Sequence, residues 1–317
     1  MTPLRVGLVG AGPHAAGLLV PVIRSTPGLE LVAIGSTDDS SRDLADTWGI
    51  EGVQAEVGEF LTVGEFDAAV LASTPTDHEA ALSVAAGMGL PVFVEAPAAF
   101  GAAPLRSFMA ANEAREKPVA TLVDLHLRYA AMTRVALEHI ATHGRVFHVA
   151  IDCHAPSARS ALWGRDLLDS FLLSVGVQPL ALMADLLGWP TANTLTSGEV
   201  TQTRKDDCFV TADFTTRTAR GSLRMSNTRN RLDLTTTVLC QDGTSVSWTL
   251  DEVTVYQPGS AAETRVVCDP MLPGGERTGH AAAMREFRDA CLGSTDSRST
   301  VEQTVVVTEW IERLRAS

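Results

Sequence analysis

The sequence contains very little lysine and no closely spaced cysteines. Only two of its 25 basic residues are lysines, Lys117 and Lys205, which limits where a primary amine could take part in chemistry. The five cysteines lie far apart without a C-x-x-C pair, which predicts free thiols in a reducing compartment. No apolar run of membrane-spanning length stands out, and the chain opens on a core strand instead of a signal peptide. We therefore expect a soluble, cytoplasmic protein.

Clusters of positive charge are also missing. The formal net charge is -13 and the isoelectric point is near 5.0, which argues against binding to nucleic acid or to an anionic membrane surface. The 317 residues, 45% of them hydrophobic, suffice for two domains, which we place at residues 1–122 and 123–317. The expected partner is a small molecule.

The chain is organised around a glycine-rich stretch near its start. Leu4–Val9 is an apolar run typical of a strand buried on both faces of a parallel sheet, and G-x-G-x-x-A follows at residues 10–15. The first glycine permits a tight turn, and the second lets the backbone approach a pyrophosphate at the start of a helix. The pattern predicts a dinucleotide site, with a strand, turn and helix without ligand as the alternative. The predicted cofactor contacts are Gly10, Gly12, Pro13 and His14.

The end of the second predicted strand decides which nucleotide fits. An acidic residue there binds the ribose 2′-hydroxyl of NAD, whereas an arginine accommodates the 2′-phosphate of NADP. Here the strand ends at Ser36 and Thr37, and Arg42 lies one turn into the next helix. This arrangement favours NADP, and Asp38, slightly beyond the strand, leaves NAD as the alternative.

Strands and helices alternate through the first domain, which predicts an α/β architecture with a doubly wound parallel sheet of Rossmann type. Ligands bind beyond the carboxyl ends of such strands. The residues that follow the fourth and fifth strands are therefore further predicted cofactor contacts: Ser73, Thr74, Pro75, Glu95 and Ala96. After residue 123, two helical segments and threonine-rich alternating runs predict an α+β domain with an open antiparallel sheet, solvated on one face.

Four segments in this order resemble the glucose-fructose oxidoreductase and inositol dehydrogenase (Gfo/Idh/MocA) family over essentially the whole chain. They are Val6–Ala15, Leu71–Leu82, Ala85–Pro97 and Leu127–Ala130. The resemblance implies an N-terminal Rossmann domain and a C-terminal domain built on an open antiparallel sheet, with the substrate between that sheet and the nicotinamide. It also implies a structural role for His78, which matches the T-P-x-x-H of the family.

Three positions depart from the pattern of the family. A lysine beside the nicotinamide, in Glu-Lys-Pro, is replaced by Ala96. The second motif, roughly G-x-H-x-x-D, aligns with residues 176–181, where Gln178 replaces the histidine and Ala181 the aspartate. General acid–base catalysis contributes typically about 10²- to 10⁴-fold, so alcohol oxidation by the usual route of the family should be badly impaired.

Hydride transfer itself needs mainly orientation by the bound cofactor. We therefore interpret the chain as an NADP-dependent reductase of an imine or of an activated carbonyl or alkene in a small metabolite, in specialised biosynthesis. The alternatives are a non-redox enzyme, such as a cyclase, isomerase or lyase, and a catalytically silent homologue. In the non-redox enzyme the nucleotide is absent or only structural, and His126 or His154 is the base.

Replacement acids and bases are available in the second domain. His126 would project toward the cofactor cleft, with Asp124 on the same side of an extended stretch. His148, Asp152 and His154 share one face of a strand by their period of two. His154 with Asp152 could form an acid–base pair, or all three could bind a metal. If this is the outer face of the sheet they are solvated polar residues, and we expect no metal site.

The remaining candidates concern the substrate and the assembly. Tyr129 is a further possible proton donor, and Arg128, Trp163 and Gln178 are predicted to contact the substrate. A large bare sheet face would expose much apolar area, which predicts a homodimer or homotetramer formed through the open sheet.

Overall fold

A computed structural model of the protein describes residues 2–156, 161–189, 191–204 and 207–317. The chain forms two compact units. The first unit contains Met1–Asp124 and His280–Val305, and the second contains Leu125–Gly279 and Val306–Ser317.

The first unit contains a six-stranded sheet in the order β3-β2-β1-β4-β5-β6, in which all paired strands are parallel. Its strands are β1 (Leu4–Val9), β2 (Leu29–Ser36), β3 (Glu51–Gln54), β4 (Ala68–Leu71), β5 (Val92–Glu95) and β6 (Thr121–Asp124). Every residue of β4 is buried, as expected for a strand covered on both faces. The predicted doubly wound parallel sheet is confirmed, and the strand order reverses between β1 and β4.

Helices connect these strands. They are α1 (Val20–Ser25), α2 (Ser40–Trp48), α3 (Val57–Val63), α4 (Pro75–Met88) and α5 (Ala102–Glu113). A π-helical turn, Ala15–Leu19, precedes α1. Helix α4 begins at a capping box in which the Thr74 hydroxyl accepts from the Asp77 backbone N–H, and it ends at Gly89 in the left-handed conformation.

The prediction of one continuous second domain from residue 123 to 317 is wrong for residues 280–305. Helix α10 (His280–Cys291) packs against β6 and α1 of the first unit. Its Phe287 is fully buried, and the ring lies edge-on to Phe93 of β5 with the centroids 5.8 Å apart. Burial of this aromatic pair stabilises the packing of α10 in the first unit, to which the chain returns after residue 279.

The second unit contains an eight-stranded sheet in the order β14-β13-β12-β11-β7-β10-β9-β8. Its strands are β7 (Val146–His154), β8 (Leu195–Arg204), β9 (Asp207–Thr215), β10 (Arg220–Ser226), β11 (Asp233–Cys240), β12 (Ser245–Trp248), β13 (Glu252–Tyr256) and β14 (Thr264–Val267). The sheet is mixed where an antiparallel one was predicted, because β10 and β7 pair in parallel. Burial alternates along β7, where Val149, Ile151 and Cys153 are buried and the residues between them are half-exposed.

The helices of the second unit cover the buried face of this sheet or lie at its ends. They are α6 (Ala131–Ala141), α7 (Leu167–Phe171), α8 (Val177–Leu186), α9 (Gly274–Thr278) and the end of α11 (Val301–Arg315). A short 3₁₀ turn, His126–Arg128, precedes α6, a π-helical turn, Leu172–Gly176, joins α7 to α8, and a second 3₁₀ turn, Ala192–Thr194, precedes β8.

The continuous helix Leu167–Leu186 corrects the expectation that no apolar run reaches membrane-spanning length. This 20-residue helix contains an 18-residue stretch with a mean hydropathy of 1.6, so it is long and apolar enough to cross a membrane by length and composition. However, 78% of that stretch is buried inside the protein, where α8 packs against β7 and β10, as in the core helix of a globular domain. Cytoplasmic localisation stays a prediction.

Candidate functional site

The glycine-rich loop after β1 forms the tight turn that its sequence predicted. Gly10 has a φ of +99°, and a Cβ at this position would lie 2.5 Å from the backbone oxygen of Ala72, just after β4. Only glycine fits there without moving the backbone. A Cβ at Gly12, in contrast, would meet no described atom within 4 Å beyond its chain neighbours. The second glycine therefore borders open space at the start of a helix, where a phosphate group could approach.

The residues after β4 add a second feature of this edge. The Ser73 hydroxyl is buried and has no hydrogen-bond partner among the described residues. Thr74 and Pro75 start α4, as its cap and first residue. Ser73 lies next to Gly10, since its backbone nitrogen would be 2.9 Å from a Cβ there. An orphaned hydroxyl suits a polar ligand at the point where the strand order reverses, so these residues fit a dinucleotide.

The loop after β2 is strongly hydrogen-bonded. Asp38 accepts hydrogen bonds from the Ser40 hydroxyl and N–H and from the Ser36 hydroxyl, and these bonds lower the pKa of its carboxyl. The Arg42 guanidinium forms an ion pair with Asp39 at 2.9 Å. Thr37 is exposed beside them. This edge therefore carries a carboxylate, and its arginine already has an acidic partner.

Four titratable side chains meet beyond the carboxyl ends of β5 and β6. We call His14, Glu95, Asp124 and His280 the histidine–carboxylate cluster. His14 Nε2 lies 3.4 Å from Glu95 Oε2, and His280 Nε2 lies 3.6 Å from Asp124 Oδ2. Glu95 and Asp124 are register partners in the parallel sheet, which brings their carboxyl groups together. The two imidazole centroids are 5.9 Å apart.

The electrostatics of this cluster follow from burial and proximity. Asp124 is fully buried, and desolvation together with the neighbouring Glu95 raises the pKa of its carboxyl well above the usual range. The hydrogen bond with Glu95 raises the pKa of His14, although burial opposes that effect. The cluster therefore combines an Asp124 carboxyl group and a His14 imidazole whose pKa values are both raised.

Sequence reasoning missed this cluster as a unit. His14 was assigned to cofactor phosphates, Glu95 to the cofactor, and Asp124 to the side of His126. His280 received no role, because it is separated from the other three by the entire second unit and no local motif surrounds it. Its position as the first residue of a predicted helical segment is the signal that the sequence offered.

The segment after β5 contains Ala96 in the position predicted for it, followed by a cis peptide bond to Pro97. His78 Nδ1 lies 3.0 Å from the Pro97 carbonyl oxygen. Burial lowers the pKa of His78, so the neutral ring donates Nδ1–H to that carbonyl. His78 thus holds the backbone after β5, which is consistent with the structural role implied for it.

In the second unit, the predicted substrate contacts Arg128 and Gln178 are internal. The Arg128 side chain is 4% exposed, forms an ion pair with Asp185 at 3.0 Å and stacks over the Trp189 ring at 4.6 Å. The Gln178 Oε1 accepts a hydrogen bond from the Leu127 N–H at 3.4 Å. A buried guanidinium that is already paired with a carboxylate is not available to a substrate anion, which corrects the prediction for Arg128.

The predicted proton-transfer residues also take separate places. His126 Nδ1 lies 3.0 Å from the Thr278 carbonyl oxygen, to which this half-buried ring donates Nδ1–H. Tyr129 is 1% exposed and lies in the core. Trp163 is half-buried with a φ of +52°, an unusual conformation for a non-glycine residue.

The predicted pair of His154 and Asp152 is not formed among the described residues. Asp152 accepts from Arg224 of β10 at 2.6 and 2.9 Å, and His154 Nδ1 lies 2.8 Å from the Ser226 hydroxyl. Both side chains belong to the half-exposed face of β7, because alternate residues of a strand point to opposite faces. This agrees with the alternative that they are solvated polar residues of an open sheet.

Three comparisons identify similar proteins. Residues 4–133 match the model of the Gfo/Idh/MocA oxidoreductase family, described as an oxidoreductase family with an NAD-binding Rossmann fold. Inositol 2-dehydrogenase 4 of Saccharopolyspora erythraea is 38% identical over 96 residues, which span 30% of this chain but only 28% of that relative.

Solved structures are similar over nearly the whole chain. A dehydrogenase from Chromobacterium violaceum has a TM-score of 0.89 and 22% identity, covering 100% of this chain and 95% of that one. GenD2 from gentamicin A biosynthesis, in complex with NAD, has a TM-score of 0.82 and 21% identity, with coverage of 100% and 95%. KijD10, a 3-ketoreductase from Actinomadura kijaniata in complex with NADP, has a TM-score of 0.74 and 19% identity, with coverage of 99% and 97%. At these identities the structures show a shared fold.

The placement of Arg128 generates a stability prediction. Arg128→Met leaves the Asp185 carboxylate without its buried cation, so we expect the free energy of unfolding in urea to fall by about 3–5 kcal/mol. Arg265→Met removes an exposed ion pair with Glu252 and should cost less than about 1 kcal/mol. Equal stabilities of Arg128→Met and the unmodified protein would contradict the internal role of Arg128.

Proposed function

We propose that this chain, whose residues 4–133 match the model of the Gfo/Idh/MocA oxidoreductase family, belongs to that family and is an NAD(P)-dependent reductase of a small molecule. The observation that carries the proposal is the loop at residues 10–15. Gly10 is forced into a tight turn against the end of β4, while Gly12 borders open space and Ser73 contributes an orphaned hydroxyl. When bound there, the nicotinamide cofactor supplies the hydride.

The proposed substrates are imines and activated carbonyls or alkenes. Ala96 and Ala181 cannot move protons, and the Gln178 amide is hydrogen-bonded to the backbone of Leu127. An imine can bind already protonated, so its reduction needs less proton transfer from the protein than the oxidation of an alcohol does. Among the similar structures, GenD2 from gentamicin A biosynthesis supports a place in specialised biosynthesis by analogy, and the 3-ketoreductase KijD10 supports carbonyl reduction by analogy.

The nucleotide preference is a separate proposal. The sequence favoured NADP because of Ser36, Thr37 and Arg42. Two observations favour NAD instead: Arg42 is paired with Asp39, and hydrogen bonds keep Asp38 ionised after β2. A carboxylate there accepts from the ribose 2′-hydroxyl of NAD and repels the 2′-phosphate of NADP. NAD is therefore the nucleotide that we propose.

Calorimetric titration of the purified protein with NADH and NADPH tests both proposals. We expect NADH to bind at micromolar concentrations and more tightly than NADPH, and Asp38→Asn to reduce the difference by about tenfold because one repulsive charge is lost. Gly12→Val should weaken binding of both nucleotides by filling the phosphate approach. Matched controls are Asp46→Asn, an exposed acid at the other end of α2, and Gly17→Val, which also meets open space.

Failure of both nucleotides to bind would overturn the redox proposal, leaving a non-redox enzyme or a silent homologue. Tighter binding of NADPH than of NADH would restore the preference predicted from the sequence.

His126 is the proposed proton-transfer residue. Its half-buried ring is held at Nδ1, which donates to the Thr278 carbonyl oxygen, and imidazole is the side chain best suited to exchange protons near neutral pH. His126→Ala should lower the rate of NADH oxidation, with imines and activated carbonyls as trial substrates, by about 10²- to 10⁴-fold while leaving NADH affinity unchanged. His154→Ala serves as the control, since His154 lies on the open sheet face beside Ser226. Equal rates for both variants would exclude this role for His126.

We also propose that two or four copies associate through the half-exposed face of the eight-stranded sheet. This face is more polar than expected, because hydroxyl groups and the Asp152–Arg224 ion pair cover much of it. Apolar side chains remain among them, namely Ala150, Phe209, Leu239 and Tyr256.

Light scattering after size-exclusion chromatography tests this association. Ala150→Arg places a charge on the central strand β7 and should yield monomers, because a charge buried without a partner is costly. Val63→Arg, at an exposed apolar site of the first unit, should leave the mass unchanged. A monomeric unmodified protein would exclude the association.

A further inference from the structure

Three side chains of the histidine–carboxylate cluster offer ligand atoms for a metal ion. One nitrogen each of His14 and His280 and one oxygen of Glu95 all lie within 4.8 Å of one another. Zinc bonds of about 2.0–2.1 Å place tetrahedral ligands about 3.3 Å apart. The 3.4 Å between His14 and Glu95 matches this spacing, and the ligand atom of His280 lies within 4.8 Å of both.

We propose that His14, Glu95 and His280 bind one Zn²⁺ ion. Two imidazoles and one carboxylate suit a borderline ion, whereas Mg²⁺ and Ca²⁺ prefer sites made of oxygen ligands. Three protein ligands leave a fourth coordination position for water or for an oxygen atom of a small molecule, as in zinc sites that do chemistry. This site stands independently of nucleotide binding, because its residues meet without a bound ligand.

The surroundings of the three residues support the site. Asp124 Oδ2 lies 3.6 Å from His280 Nε2, so a carboxyl group stands beside this ligand histidine, as is common at histidines that bind a metal. The His280 and Glu95 side chains are 7% and 12% exposed, so packing fixes them at the start of α10 and the end of β5. The His14 side chain is 52% exposed, which gives the ion a path from solvent.

The metal set considered from the sequence is a weaker candidate. His148, Asp152 and His154 share the half-exposed face of β7, but the Asp152 carboxylate is engaged by the Arg224 guanidinium. A fixed cation beside a ligand carboxylate opposes the binding of a second cation. The first unit therefore offers the better set of ligands.

Titration of the full-length protein with ZnCl₂ after treatment with a chelator tests the proposal. We expect one ion per chain at micromolar or lower dissociation constant, and Co²⁺ in its place should give visible d–d absorption of a nitrogen and oxygen environment. His14→Ala, in an exposed loop, and Glu95→Gln should each weaken binding at least tenfold. His148→Ala is the matched control and should bind as the unmodified protein does.

Several results would overturn the proposal. These are the lack of saturable binding, unchanged affinity in both His14→Ala and Glu95→Gln, loss of binding in His148→Ala, or a thiolate charge-transfer band in the Co²⁺ spectrum. Titration of the same metal-free proteins with NADH separates this outcome from the proposed function, because nucleotide binding can then fail while zinc binding persists, or the reverse.

Discussion

The close approach of two backbone segments at Gly10 is the constraint on which the first unit depends. The end of β1 turns within van der Waals range of the carbonyl after β4, at the point where the strand order reverses. A side chain at Gly10 would push the two strands apart, and the π-helical turn and α1 that follow would move with them. This single contact sets the position of Gly12 and His14 and thereby the geometry of the whole carboxyl edge.

The titratable side chains of that edge lie close to Ala96, the position at which the resemblance to the Gfo/Idh/MocA family implies a lysine. Ala96 offers no titratable atom, yet four titratable side chains gather close by around the register pair Glu95 and Asp124. Two adjacent carboxyl groups in a buried place cannot both ionise without a cation or a proton to balance them. In this structure burial and the neighbouring Glu95 raise the pKa of Asp124, which favours its protonated form, and in our proposal a Zn²⁺ ion supplies the compensating positive charge.

In the second unit, buried polar groups serve the fold. An arginine can bind a substrate anion, but the Arg128 guanidinium forms an ion pair with Asp185 and stacks over the Trp189 ring. The sheet shows the same effect. Asp152 and His154 are adjacent on one face of β7, two residues apart in sequence, yet each contacts a different residue of β10. Polar residues at matching spacing form a site only if the adjacent strand leaves them free.

The sequence by itself determined the local elements of the fold: the apolar run of β1, the glycine turn, the alternation of strands and helices, and the period-two pattern of the second sheet. These depend on local conformation and on hydrophobic periodicity, which a single sequence displays. The sequence also identified Ala96 and Gln178 as departures from two motifs of the family, because the spacing of those motifs can be followed along the chain.

Only the tertiary structure decided which distant residues meet. His280 joins His14 because α10 returns to the first unit after the chain has built the second, and Asp124 reaches Glu95 through strand register. The parallel pairing of β7 with β10 and the burial of Arg128 likewise depend on contacts between segments far apart in sequence. Such contacts are set by packing of complete elements, and no local pattern of residues encodes them.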